Sequence, residues 1–152
     1  MKISQEIQSD FQMIGNFIKK MNVSNVFLEL PPMDQLNYSL EAEYDNVSIE
    51  PQKNGGFIGS IDLWVKVIAK KKGGKEKISL LLILNGGFFD SRVKKEEDFE
   101  KFLTINGAAS LYSIARGIII GLSSASMNGG QIILPMINFF KMKEKKAENK
   151  QK

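Results

Sequence analysis

At 152 residues, with 43% apolar and 25% charged residues, the chain has room for one soluble domain with a packed core and does not read as disordered. It contains neither cysteine nor histidine, which excludes a disulfide framework, thiolate metal sites, cysteine nucleophiles and the usual imidazole proton shuttle. The net charge of +4 is local: Lys141 to Lys152 holds six lysines and two glutamates, leaving 15 basic against 15 acidic residues in the body, so a nucleic-acid partner, which wants a basic stripe on a folded element, is not expected.

The N-terminus, Met1 to Asp10, mixes Lys2, Glu6 and Asp10 with isolated isoleucines and lacks the apolar run of a signal peptide. Together with the missing cysteines this points to a reducing compartment, the cytoplasm. Ile3, Ile7, Phe11 and Ile14 sit at helical spacing, yet Phe11 to Phe17 could also open a first strand. Val23 to Leu30 reads as an early strand ended by Pro31-Pro32. Tyr38, Leu40, Ala42 and Tyr44 then alternate with Ser39, Glu41, Glu43 and Asp45, one dry face and one wet.

Phe57 to Lys71 is the clearest strand: Phe57, Gly59, Ile61, Leu63, Val65, Val67 and Ala69 take one face, Ser60, Asp62, Lys66 and Lys70 the other. The turn Lys72 to Lys75 leads into a hairpin partner, Lys77 to Phe89. Four Gly-Gly doublets, at 55–56, 73–74, 86–87 and 129–130, read as turns. Ile78 to Leu84 is apolar on both faces, because Leu81 and Ile83 join Ile78, Leu80, Leu82 and Leu84. Such a strand needs a cover on its second face, either the protein's own helices or another subunit.

After Asp90 the period becomes helical. Glu96 to Met127 carries Phe99, Phe102, Leu103, Leu111, Ile114, Ala115, Ile118, Ile119 and Leu122, with Glu96, Glu97 and Asp98 at the dipole's positive end. Asn106-Gly107 is expected to break it into two pieces. Gly117, Gly121 and Ala125 form a ridge of small residues that lets another backbone approach. Ala108 to Ala125 approaches the length of a bilayer span, but Arg116 at its middle and several serines favour a buried packing helix, so no membrane span is expected.

Little here can do chemistry. Glu41, Glu43 and Asp45 read as a solvated strand face before a cation site. Ser123, Ser124 and Ser126 have no visible base, and no glycine doublet has phosphate-loop spacing. No enzymatic activity, cofactor or metal is expected. The surplus apolar surface, with Trp64 in register with Asp62 and Lys66 on the charged side of its strand, points to the binding of other polypeptides.

Four short segments in order carry a family resemblance. Glu29-Leu30-Pro31 closes the first strand; Gly86-Gly87-Phe88-Phe89 ends the fourth; Leu111-Tyr112-Ser113-Ile114-Ala115-Arg116 lies in the long helix; Leu134-Pro135-Met136-Ile137-Asn138-Phe139 leads into the final helix. From about Phe17 to Phe140 the chain resembles the SecB family of export chaperones, whose corresponding motifs read roughly Phe-Glu-Ala-Pro, Gly-Gly-Ile-Phe, Leu-Phe-Pro-Tyr-Ala-Arg and Leu-Ala-Pro-Val-Asn-Phe.

The resemblance implies an α+β fold over residues 1–140: a four-stranded antiparallel sheet backed by a long helix and a short C-terminal helix; the lysine-rich stretch 141–152 departs from the family and reads from its composition as a disordered tail. It implies a homotetramer, a dimer of dimers, that binds unfolded or precursor polypeptides and keeps them extended for export. By matched region, Met33, Leu36, Tyr38, Leu40, Tyr44, Phe139 and Phe140 would line the client groove. Leu81, Ile83, Gly117, Gly121 and Ala125 would lie at subunit interfaces. The family's acidic docking positions for the export motor SecA correspond to Glu29, which is kept, and to Asn25 and Leu82, which are not acidic; this weakens docking in the usual mode. Two other readings are a SecB-like chaperone dedicated to one partner, such as an antitoxin, and a non-chaperone binding module whose basic tail attracts RNA or lipid surfaces.

Overall fold

The computed structural model describes residues 9–27, 31–126 and 131–149. Four strands form one antiparallel sheet in the order β1-β4-β3-β2: β1 (Gln12–Asn25), β2 (Leu36–Pro51), β3 (Phe57–Lys71) and β4 (Lys77–Asp90). A single 3-10 turn, Met33–Gln35, precedes β2. The α+β architecture expected from the sequence is the one found. The β2–β3 and β3–β4 pairs are hairpins closed by turns in which Gly55, Gly56 and Gly73 take positive φ.

Alternation sorts the sheet into two faces. Ile61, Leu63, Val65, Val67 and Ala69 of β3 and Ile78, Leu80, Leu82, Leu84 and Phe88 of β4 are buried under helices. The intervening residues, among them Trp64, Lys66, Leu81 and Ile83, are half-buried on the face that none of the described helices covers. The expected cover over Leu81 and Ile83 is therefore not the protein's own helices, which lie on the other side.

A long helical rod crosses the covered face. It comprises α1 (Glu96–Phe102), a π-helical turn (Leu103–Gly107) and α2 (Ala108–Ser126). The Asp90 carboxylate starts it by accepting hydrogen bonds from the Arg92 and Val93 N–H groups at 2.9 and 3.1 Å, an Asx-type turn between β4 and α1. Asn106-Gly107 does not break the rod as expected. The chain widens there by one residue into the π turn, and the Thr104 hydroxyl donates to the Glu100 carbonyl at 2.8 Å. Phe99, Leu103, Leu111, Ala115 and Ile119 face the sheet and are buried. They approach so closely that a Cβ on Gly86 would lie 2.7 Å from Leu111 Cδ2, and one on Gly59 2.8 Å from Phe99 Cε1.

Beyond α2 the chain returns along the same helix. The Ile132 N–H donates to Ser123 Oγ at 2.9 Å, Arg116 Nε to the Leu134 carbonyl at 3.0 Å, and the Tyr112 hydroxyl to the Pro135 carbonyl at 2.8 Å. Asn138 then caps α3 (Phe139–Asn149), accepting from the Lys141 N–H at 3.1 Å.

Three expectations change. The lysine-rich stretch is not a disordered tail from residue 141; it is helical through Asn149, anchored where Lys146 reaches the β2 edge. The first strand is Gln12–Asn25, beginning earlier than Val23 to Leu30, and of the two readings open for Phe11 to Phe17 the strand opening is the one found. Gly86-Gly87 lies inside β4 instead of in a turn, because Gly86 makes room for the rod. Leu30, Met127 and the 129–130 doublet lie outside the described residues.

Candidate polypeptide-binding surfaces

Among the described residues, five of the twelve exposed large apolar side chains lie on the edge strand β1. Ile14, Phe17, Ile18, Met21 and Val23 are all exposed, Ile14 to 60% and Phe17 to 58%, and Val26 follows just beyond the strand. Phe17 pairs with Asn85 and lies on the open face; Ile18, Met21 and Val23 pair with Leu84, Leu82 and Leu80 and point to the helix side. β2 at the opposite edge differs. Its helix-side residues Leu40, Ala42 and Tyr44 are partly or wholly covered, Tyr44 by α3. There the Lys146 ammonium stands 4.3 Å from the Tyr44 ring centroid, donates to the Tyr44 carbonyl and pairs with Glu43 at 2.7 Å. Burial, with Glu100 and Glu43 nearby, raises the Tyr44 hydroxyl above its usual pKa. So one edge of the helix-side layer is closed by residues 131–149 and the other is left open along β1.

The open face holds two further features. A shallow trough of about 540 Å³ crosses the strands, its floor made of Gly15, Gly87, Ser60 and Ser48 and its rim of Ile14, Phe17 and Ile58. Beside it Asp62 is buried and fully partnered: Lys19 Nζ donates at 2.6 Å, Asn46 Nδ2 at 2.8 Å and Asn85 Nδ2 at 2.7 Å. Burial alone would raise its pKa, but the three donors outweigh it and hold the carboxyl below the ordinary aspartate value. Among the described residues no group of three or more acidic, histidine or cysteine side chains is placed to hold a metal ion.

The residues singled out in sequence separate into distinct places. Leu36, Tyr44 and Phe139 are core residues, Phe139 packed edge-on to the Tyr112 ring at 5.7 Å between centroids. Leu40 packs partly on that core, whereas Tyr38 and Phe140 are exposed. Met33 lies in the 3-10 turn, its side chain outside the described set. Gly117, Gly121 and Ala125 share the outer face of α2; a Cβ on either glycine would meet nothing within 4 Å. Glu29 lies outside the described residues. Asn25 ends β1, and Leu82, matched to an acidic docking position, is buried beneath the helices.

The sequence reading missed β1 as a binding surface. Its apolar residues at 14, 17, 18 and 21 fall at i, i+3, i+4 and i+7, the spacing of a helix face, because two bulges, between Met13 and Gly15 and between Ile18 and Lys20, shift the strand period. Six unburied apolar residues within Ile14 to Val26 were the available signal. Glu96–Ala125 is long and apolar enough to cross a bilayer, but in this fold it lays one face on the sheet.

No protein-family model and no curated protein matches the chain. Among solved structures, the Mycobacterium tuberculosis Rv1957 SecB-like chaperone, in complex with a ChAD peptide from the Rv1956 HigA1 antitoxin, superposes with a TM-score of 0.60 at 16% identity, over 84% of this chain and 91% of that one. A Streptococcus agalactiae protein of unknown function gives 0.43 at 12% identity, over 82% and 96%. The fold is SecB-like.

Proposed function

We propose that this chain is a SecB-like chaperone that holds non-native polypeptide passively as a homo-oligomer, a dimer of dimers. The observation that carries the proposal is the run of exposed apolar residues on both faces of an unpaired edge strand. Monomeric proteins rarely leave such surface uncovered. In this reading copies meet along β1 and the open Gly117–Gly121–Ala125 face of α2, and client segments take the remaining apolar surface, including Tyr38 and Phe140. Extended clients suit such surfaces because apolar pockets and backbone hydrogen bonds give affinity without sequence reading. The test is light scattering of a chemically unfolded client with and without the purified protein. Stoichiometric suppression of aggregation is expected, and none at any ratio would sink the proposal.

Within this reading a dedicated client is favoured over general export. The structural neighbour is a SecB-like chaperone in complex with an antitoxin peptide, and here Leu82 is buried where an acidic docking residue was matched. Release of a bound client on adding SecA would reverse that preference.

A further inference from the structure

β1 poses a register problem. A strand fixes its register when one face is apolar and the other polar, since slipping by one residue then exposes the core side. β1 has Phe17 on the open face and Ile18, Met21 and Val23 on the other, and all four are exposed. A slip that exchanged Phe17 and Ile18 between faces would bury and expose nearly the same apolar area. Phe11 and Met13, ahead of the first bulge, pack on the core, but from Gly15 to Asn25 burial does not choose the register.

The Asp62 cluster supplies the choice. In β1 the extra residue of the bulge between Ile18 and Lys20 is Lys19. In β2 the bulge between Asp45 and Ser48 contains Asn46, whose φ is 50°, a left-handed conformation in which asparagine is among the tolerated residues. Both bulge residues send their side chains to the same carboxylate on β3, and Asn85 of β4 completes the set. One buried aspartate, 4% exposed, thus collects a donor from each of the other three strands, and two of the three come from the bulges at the sheet's two edges. Polar groups buried in this way are best attested as devices that fix register.

We infer that the Lys19–Asp62–Asn46–Asn85 cluster is a register lock: it holds the bulges of both edge strands in place and thereby decides which face of the sheet Phe17 occupies. Its consequence for assembly is direct. The regular part of the β1 edge beyond the lock is Lys20–Ser24, and the segment before it is set by the lock. The inference concerns the chain alone and stands or falls separately from the chaperone proposal.

Cysteine pairs read the register, because the chain has no cysteine of its own. In the locked register Gly15 faces Gly87, and a Cβ on Gly15 meets nothing within 4 Å. Losing the Lys19 bulge while Lys20 stays opposite Ile83 would bring Asn16 opposite Gly87 instead. Directly opposed strand residues lie within disulfide reach. Mild oxidation of the dilute protein, read by intact mass, should close the Gly15→Cys/Gly87→Cys pair and leave Asn16→Cys/Gly87→Cys open. Adding Lys19→Met, at a half-exposed side chain, should shift the closure ratio toward the 16/87 pair by at least about tenfold, as a lock worth one decade in equilibrium requires. Asp62→Asn should shift it in the same direction. Persistence of the 15/87 pair in Lys19→Met would overturn the inference. So would loss of folding in that variant, seen in Trp64 fluorescence, since a lock predicts a folded but slipped sheet.

Discussion

Replacing Phe17 by alanine tests whether the β1 edge is an assembly surface, because the single chain leaves more than half of the side chain uncovered. A phenylalanine presents about 150–250 Å², and 58% of Phe17 is exposed. That leaves about 90–145 Å² for a partner to cover, worth about 2–3.5 kcal/mol at 25 cal/mol per Å². In a two-fold interface each copy contributes the same patch, so the loss counts twice. If the partner covers only half of the area, the dimer weakens by about 2–3.5 kcal/mol in total, roughly 30- to 300-fold in Kd. At a concentration where both proteins are dissociated, unfolding of the variant should be destabilised by at most about 1.5–2.5 kcal/mol, the value of the roughly 60–105 Å² of Phe17 that the single chain already covers. Sedimentation velocity over a wide concentration range reads the association directly. A wild-type chain that stays monomeric throughout refutes the reasoning, as does a Phe17→Ala variant that associates as tightly as wild type.

Adjacent glycines in β4 give an internal control on the helix–sheet contact. Gly86→Ala drives a methyl into Leu111 and Phe88 and should cost about 1–3 kcal/mol, lowering Tm by about 2–4 °C per kcal/mol, whereas Gly87→Ala, whose Cβ would meet only the Gly15 carbonyl at 4.0 Å, should be neutral or slightly stabilising; equal melting shifts would contradict the close approach. Ser123→Ala leaves the buried Ile132 N–H without its acceptor and should cost about 1–3 kcal/mol in urea unfolding, while Ser124→Ala, on the exposed side of the same turn, should cost little. The depressed Asp62 carboxyl contributes stability that is complete above its unfolded value near 3.8 and is lost as the pH falls from there through the lower folded value. Denaturant midpoints measured down that window should fall more steeply for wild type than for Asp62→Asn, and parallel curves would remove Asp62 from the account.

The central hairpin was legible in sequence because burial enforces a strict period of two along Phe57–Lys71, and its partner β4 was legible because the turn between them is marked by Gly73-Gly74. The helical rod was legible for the same reason at period 3.6, although Asn106-Gly107 carried an ambiguous signal. Glycine after asparagine ends many helices, but here Leu103, Thr104 and Gly107 are buried, and packing on both sides keeps the rod continuous through a π turn. The fate of the lysine-rich end was hidden because its anchor is not local. Lys146 finds Tyr44 and Glu43 about a hundred residues earlier in the chain, and no feature within 141–149 announces that contact.

β1 resisted reading for a more general reason, which also explains why its surface matters. A strand is recognised by its period, and a period is written into sequence by one-sided burial. An edge strand that leaves apolar residues exposed on both faces has no such one-sidedness among the described residues. Under the proposed assembly the sequence of Gln12–Asn25 is patterned for a partner as well as for the bulges, with Lys19 interrupting the apolar run where its ammonium reaches Asp62. Such interruption looks like noise when the strand is read alone. Once Asp62, Asn46 and Asn85 are seen to converge on one point, the same lysine fixes the register and an edge strand without an internal pattern becomes a defined surface.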